Sequence, residues 1–124
     1  MFRLLITGSR SWNDKEVIVR EFILIARKFG QDVTVVSGNA STGGDAICES
    51  LAKEMGWVVE RHPAKWNRQA DGSFDNRAGF KRNKFMVMLG ADACLAFIKD
   101  SSNGASNTAL LAELAGIPTK RVEA

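Results

Sequence analysis

Four short polar segments carry the residue types that grip a negatively charged ligand: Gly8-Ser9-Arg10-Ser11-Trp12, Ser37-Gly38-Asn39-Ala40, Arg82-Asn83 and Ser101-Ser102-Asn103-Gly104-Ala105. A glycine turn that opens a helix exposes backbone N–H groups beside the positive helix end, which suits a phosphate. Gly8 permits a tight turn and close approach. The Ser9 hydroxyl and the Arg10 guanidinium both suit phosphate oxygens. The loop from Ser37 to Asp45 contains Gly38, Gly43 and Gly44, a composition that lets backbone wrap an anion. Asp45 falls at the start of a helix, where the dipole favours its carboxylate; capping explains it, and a bond to a ribose hydroxyl is the sharper reading. Ser101, Ser102, Gly104 and Ala105 precede or open another helix, so they cap it or hold a phosphate. Arg82 and Asn83 lie within a helical pattern, where Asn is a mediocre helix former. Arg82 directed at the strand ends would meet the same phosphate. Trp12 is a core or lid residue, or a stacking surface for a base.

These segments need a frame that brings them together. Phe2–Thr7 reads as a first strand, and Asn13 or Asp14 caps the helix that follows. Ile18, Phe22, Ile25 and Phe29 recur at helical spacing, and Gly30 ends that helix. Val33-Thr34-Val35-Val36 is β-branched throughout and reads as a buried parallel strand. Ile47, Leu51 and Met55 mark a second helix, stopped by Gly56. Trp57–Arg61 is a third strand, closed by His62-Pro63. The stretch from 64 to 75 is polar, lacks a period and reads as a loop. Asn76 caps a third helix with Phe80, Met86 and Val87 facing inward, ended by Gly90. Ala93–Ile98 is a fourth strand. After a polar turn, Leu110, Leu111 and Leu114 mark a fourth helix, ended by Gly116. Pro118–Val122 is a short edge strand. Strands separated by such helices run parallel, with helices on both faces of the sheet. In sheets of that kind the loops after the strands share one rim, where ligands bind.

The bulk properties narrow the class. A chain of 124 residues with 45% apolar and 25% charged residues forms one domain with a filled core. No apolar run approaches the about 20 residues that cross a bilayer. The apolar start stops at Gly8-Ser9-Arg10, too short for a signal peptide, and reads as the first strand of a cytoplasmic protein. Two cysteines without CxxC spacing and one histidine argue against a zinc site. Cys48 and Cys94 read as buried thiols, and His62 as structural. No cofactor is expected. The net charge of +3 is uneven: Arg61 to Lys84 holds seven basic residues and two acids. Such a patch suits a polyanion or phosphorylated ligand, or is a solvated surface. The spacing is not GxGxxG, which excludes a standard NAD dehydrogenase fingerprint.

Taken in order, the segments resemble the SLOG superfamily, and within it the small YspA-like proteins, often phage-encoded. Gly8-Ser9-Arg10 with Trp12, Ser37-Gly38-Asn39-Ala40 through Gly44-Asp45, Pro63 and Trp66, Ala78-Gly79 with Arg82-Asn83 and Met86, Ser102-Asn103-Gly104-Ala105 and Gly116-Ile117-Pro118 carry the likeness. The resemblance implies a three-layer Rossmann-like α/β fold with a mainly parallel five-stranded sheet, binding nucleotides or nucleotide-derived ligands at the strand ends. Lonely Guy enzymes are similar and cleave nucleoside monophosphates, DNA-processing protein A binds single-stranded DNA, and sensor relatives bind ADP-ribose derivatives. Where the Lonely Guy pattern has its glutamate this chain has Thr108, and Glu113 is a poor replacement, so hydrolysis of that kind is not implied.

The leading expectation is therefore a binding protein for a nucleotide or ADP-ribose-like ligand. Amides at Gly8, Gly38 and Gly104 would hold phosphates, Arg10 and Arg82 would add charge, Asn39 and Asp45 would hold sugar hydroxyls, and Trp12 or Trp66 would cover the base. An enzyme using the same pocket, a nucleotide N-glycosidase or phosphohydrolase with Asp45 as its default catalytic candidate, is the second reading. The third is single-stranded nucleic-acid binding along the 61–84 segment, with Trp66, Phe74, Phe80 or Phe85 as stacking platforms. Relatives commonly pair as homodimers, which extends the expectation of partners.

Overall fold

The computed structural model describes residues 1–65, 77–100 and 102–124. Five strands and four helices alternate: β1 (Phe2–Gly8), α1 (Lys15–Phe29), β2 (Val33–Ser37), α2 (Gly44–Glu54), β3 (Val58–Arg61), α3 (Ala78–Met88), β4 (Ala93–Ile98), α4 (Asn103–Leu114) and β5 (Thr119–Glu123). The strands form one sheet in the order β3-β2-β1-β4-β5, and every pairing is parallel. This is a three-layer Rossmann-like α/β fold. Central strands must be apolar on both faces, and Leu4, Leu5 and Ile6 of β1 are all fully buried.

Alternate β1 residues serve opposite layers. Leu4 and Ile6 pack with Ile18 and Phe22 of α1, Cys48 and Leu51 of α2, and Trp57. Leu5 packs with Met86 and Val87 of α3 and with Ala112 of α4. Asp14 caps α1 by accepting from Val17 N at 3.3 Å, and Gly30 leaves that helix at φ 60°. Arg3 binds both carboxylate oxygens of Glu60 at 3.0 Å, and His62 Nε2 lies 2.8 Å from the same group. The Arg3 bonds, then that of His62, hold the Glu60 carboxyl at about 2. This cluster ties the exposed edge strand β3 to β1.

One expectation about a packing face is corrected, at Phe80, and α4 buries a face other than its leucines. Leu110 and Leu114 mark α4 in the sequence but are 48% and 75% exposed. The buried face of α4 is instead Ala105, Thr108, Ala109 and Ala112. These small residues also recur at helical spacing, and they let the helix axis approach Ala96 and Ile98 of β4 closely. Phe80, expected to face inward with Met86 and Val87, is 48% exposed, whereas those two are buried. Arg77 occupies the N-cap position of α3; Asn76 lies outside the described residues. Among the described residues, no helix is long and apolar enough to cross a membrane.

Candidate functional site

The strand order fixes where a crevice must form. β1 and β4 are neighbours, yet α1 leaves β1 toward one face of the sheet and α4 leaves β4 toward the other. The chain therefore parts at the carboxyl ends of these two strands. A cavity of about 490 Å³ lies there, walled by the loops after β1 and β4, the start of α2, and one side of α3.

The floor is a crossing of two backbones. Gly8 at the end of β1 lies against Gly44 at the start of α2, and a Cβ on either would overlap the other's Cα. Gly43, at φ 77°, lies equally close to Ser9 and Arg10. Gly44 N donates to Ser9 O at 3.0 Å, fixing the crossing. Ser9 is 1% exposed and reaches across to β4. Its N–H donates to Phe97 O at 2.9 Å. Its hydroxyl accepts from Lys99 N at 2.8 Å and donates to Lys99 O at 3.3 Å. Ser9 thus borders the cavity but spends its hydroxyl on holding the β1 and β4 loops together.

Asp45 performs the same service between the β1 and β2 loops. Its Oδ1 accepts from Gly8 N at 3.1 Å and its Oδ2 from Ala40 N at 3.2 Å. Burial raises its carboxyl to about 6; the Ala40 and Gly8 amides and the Arg82 charge pull it down, and Glu49 pushes it up. Asp45 still borders the cavity, and each oxygen retains a lone pair. The amides of Gly8 and Ala40 are consequently occupied.

Ser37 and Asn39 turn away from the cavity, toward Glu49 of α2. Ser37 Oγ donates to Glu49 Oε2 at 2.7 Å, and Arg61 Nε donates to Oε1 at 2.7 Å. The Asn39 amide, oriented with nitrogen toward the carboxylate, adds bonds of 3.2 and 3.1 Å. Asn39 N donates to Ser37 Oγ at 3.0 Å, and the residue sits at φ 59°. The sequence reading missed Glu49. The available signal was a pair of acids, Asp45 and Glu49, one turn apart on an amphipathic helix, a spacing that like charges avoid unless something pays for it.

Arg82 of α3 joins the remaining wall. Its Nη1 donates to the carbonyls of Gly38 and His62, and its Nε donates to Asn83 Oδ1 at 2.8 Å. A side chain at Gly38 would strike this guanidinium. Burial lowers the Arg82 pKa, and Asp45 opposes that shift. Nη2 has no hydrogen-bond partner among the described residues. Asn83 is 4% exposed and donates to Gly104 O at 3.4 Å and Asn107 Oδ1 at 3.3 Å, which ties α3 to the start of α4.

Neither α2 nor α4 has a side-chain cap, but Gly44 N of α2 is spent on Ser9 O. Ser102 is at the N-cap position and makes no side-chain capping bond. Gly104 and Ala105 border the cavity, as do Arg10 and Lys99. Arg10 and Lys99 form no ion pair among the described residues. First-turn amides lack intrahelical partners, so this end of the cavity presents donors beside Arg10 and Lys99, with the carboxylate of Asp100 on the same loop also bordering it. Ser101 lies outside the described residues.

Trp12 does not line the cavity. Its ring is 4% exposed and 5.5 Å from that of Phe97, and its Nε1 donates to Asp14 O at 2.9 Å. Trp66 and Phe74 lie outside the described residues. Among the described residues, the aromatic ring that borders the cavity is Phe80. Thr108, at the position of the Lonely Guy glutamate, is fully buried and donates to Gly104 O at 3.2 Å.

A doubly wound parallel sheet with a polar crevice at its switch point defines a Rossmann-like ligand-binding class. The chain belongs to the YspA, cpYpsA-related SLOG family (YAcAr), whose sequence profile matches residues 2–69. Gene 61 protein of Mycobacterium phage D29 is 36% identical over 123 residues, covering 95% of this chain and 94% of that protein. No solved structure matches significantly. Membership of a SLOG family points, at a coarse level, to a nucleotide-related ligand.

Proposed function

We propose that this protein binds a phosphorylated, nucleotide-derived ligand in the β1/β4 cavity, its phosphate at the start of α4. One observation carries the reading: the amides of Gly8 and Ala40 are bonded to Asp45, whereas α4 begins without a side-chain cap beside Arg10 and Lys99. Of the three loops expected to hold phosphate, the one at Gly104 and Ala105 remains. Arg82 Nη2 adds a third cationic donor. Asp45 accepts from sugar hydroxyls with its free lone pairs. Trp12, Ser37 and Asn39 act by shaping the loops rather than by touching the ligand. Thr108 supplies no acid at the Lonely Guy position, which favours binding over glycosidic cleavage.

Differential scanning fluorimetry with AMP, ADP-ribose, ribose 5-phosphate and adenosine tests this. A phosphorylated ligand at about 100 times its Kd adds about 2.7 kcal/mol of stability, and adenosine adds far less. Equal shifts with adenosine, or no shift with any of them, would overturn the proposal. The pH dependence isolates Asp45. Its carboxylate form, which accepts two hydroxyl donors, dominates above about 6. The affinity ratio of AMP to 2′-deoxy-AMP is expected to rise as the pH passes upward through that value. Both ligands carry the same phosphate, so its own titration cancels. A ratio independent of pH would remove Asp45 from sugar recognition.

A further inference from the structure

Phe80 occupies an unusual place on α3. Spacing of three and seven residues puts it on the same stripe as Asn83 and Val87, and those two are 4% and 8% exposed. An aromatic ring on that inward stripe is expected to be covered. Phe80 is instead 48% exposed, and it borders the cavity. The difference follows from position along the helix. Val87 and Asn83 meet the sheet and α4, while the first turn of α3 overhangs the rim where the strands have ended. Asn83 holds that turn in place through its bonds to Gly104 and Asn107. Among the described residues, no other aromatic ring packs on Phe80. The ring therefore borders the same cavity as Arg10 and the first turn of α4.

We propose that Phe80 is the stacking platform for a nucleobase, so that the ligand class is a base-bearing phosphate rather than a sugar phosphate or inorganic anion. The inference rests on the phosphate placement argued above. An aromatic face rewards a flat π-system and is indifferent to base-edge hydrogen bonding. A sugar phosphate would fill the polar end and leave the ring facing water. Purines, with the larger face, bind more tightly than pyrimidines. Because Phe80 is half exposed and carries no hydrogen bond, replacing it leaves the fold intact.

Isothermal titration of wild type, Phe80→Ala and Phe80→Leu with AMP, UMP and ribose 5-phosphate tests the assignment. Wild type is expected to prefer AMP over ribose 5-phosphate by about ten-fold, in keeping with one base stacked on one ring. Phe80→Ala removes most of that preference and leaves the ribose 5-phosphate affinity unchanged. Phe80→Leu, which keeps the apolar volume but not the π face, falls between the two. Equal affinity of wild type for AMP and ribose 5-phosphate, or an AMP preference that survives Phe80→Ala, would overturn the assignment while leaving the phosphate site standing. Binding of none of the three would overturn both.

Discussion

Gly8→Ala is expected to destabilise the protein by about 3 kcal/mol, the upper range for forcing volume into a packed site. The added methyl would overlap the Gly44 Cα, which is backbone and has no rotamer to change. Relief requires β1 and α2 to part. Parting them breaks the Gly44 N to Ser9 O bond and separates Asp45 from Gly8 N. Ligand affinity falls with stability because the same crossing forms the cavity floor. Urea denaturation read by tryptophan fluorescence gives the stability, and titration with AMP gives the affinity. Gly104→Ala provides the contrast. A Cβ there meets nothing within 4 Å, so the fold is unaffected. A Gly8→Ala protein as stable as wild type would show that the crossing is looser than described.

Arg82→Gln is expected to produce the largest loss of ligand affinity of any single change outside the glycine crossing. Arg82 supplies charge to the cavity and also binds the Gly38 and His62 carbonyls, so it aligns the ends of β2 and β3. Hydrogen bonds from a charged group contribute about 1.5–3 kcal/mol each. Loss of one such bond to phosphate weakens binding by roughly 10- to 100-fold. The unpaired carbonyls lower stability by about 1–2 kcal/mol as well. Arg82→Lys should restore little of either, because a lysine cannot reach Gly38, His62 and Asn83 in the fork geometry of a guanidinium. Full affinity in Arg82→Lys would mean that charge alone matters and that the bridging bonds do not.

The frame was legible because its signals are local. β-branched runs, helical apolar spacing and the glycines at 30, 56, 90 and 116 mark every strand and helix, and those glycines adopt φ of 60°, 77°, 85° and 80°. Parallel strands and a binding rim at their carboxyl ends follow from alternation, whereas the crevice between β1 and β4 follows from the strand order that the structure shows. The use of each polar side chain was not legible, because its partner is distant in sequence. Ser9 meets Lys99, Asp45 meets Gly8, and Asn83 meets Gly104. A serine after a glycine turn looks the same whether its hydroxyl faces a phosphate or another loop. The two aromatic residues show the same limit. Trp12 and Phe80 both had face and position to stack on a base, and only the point where the sheet ends separates the buried ring from the exposed one. In α4 the leucines mark the helix in the sequence, while alanines give the close fit to the sheet.

Ligand binding in this cavity turns on an anion seated at the start of α4. Two-dimensional amide NMR of the isotope-labelled protein, titrated with AMP at moderate salt, tests that most directly. The largest saturable shifts are predicted at the backbone amides of Gly104 and Ala105, with Arg10 following at the same Kd and the Gly8 and Ala40 amides moving less. Shifts confined to the outer face of α1 or to β5, or shifts at Gly8 and Ala40 with Gly104 and Ala105 unmoved, would contradict it.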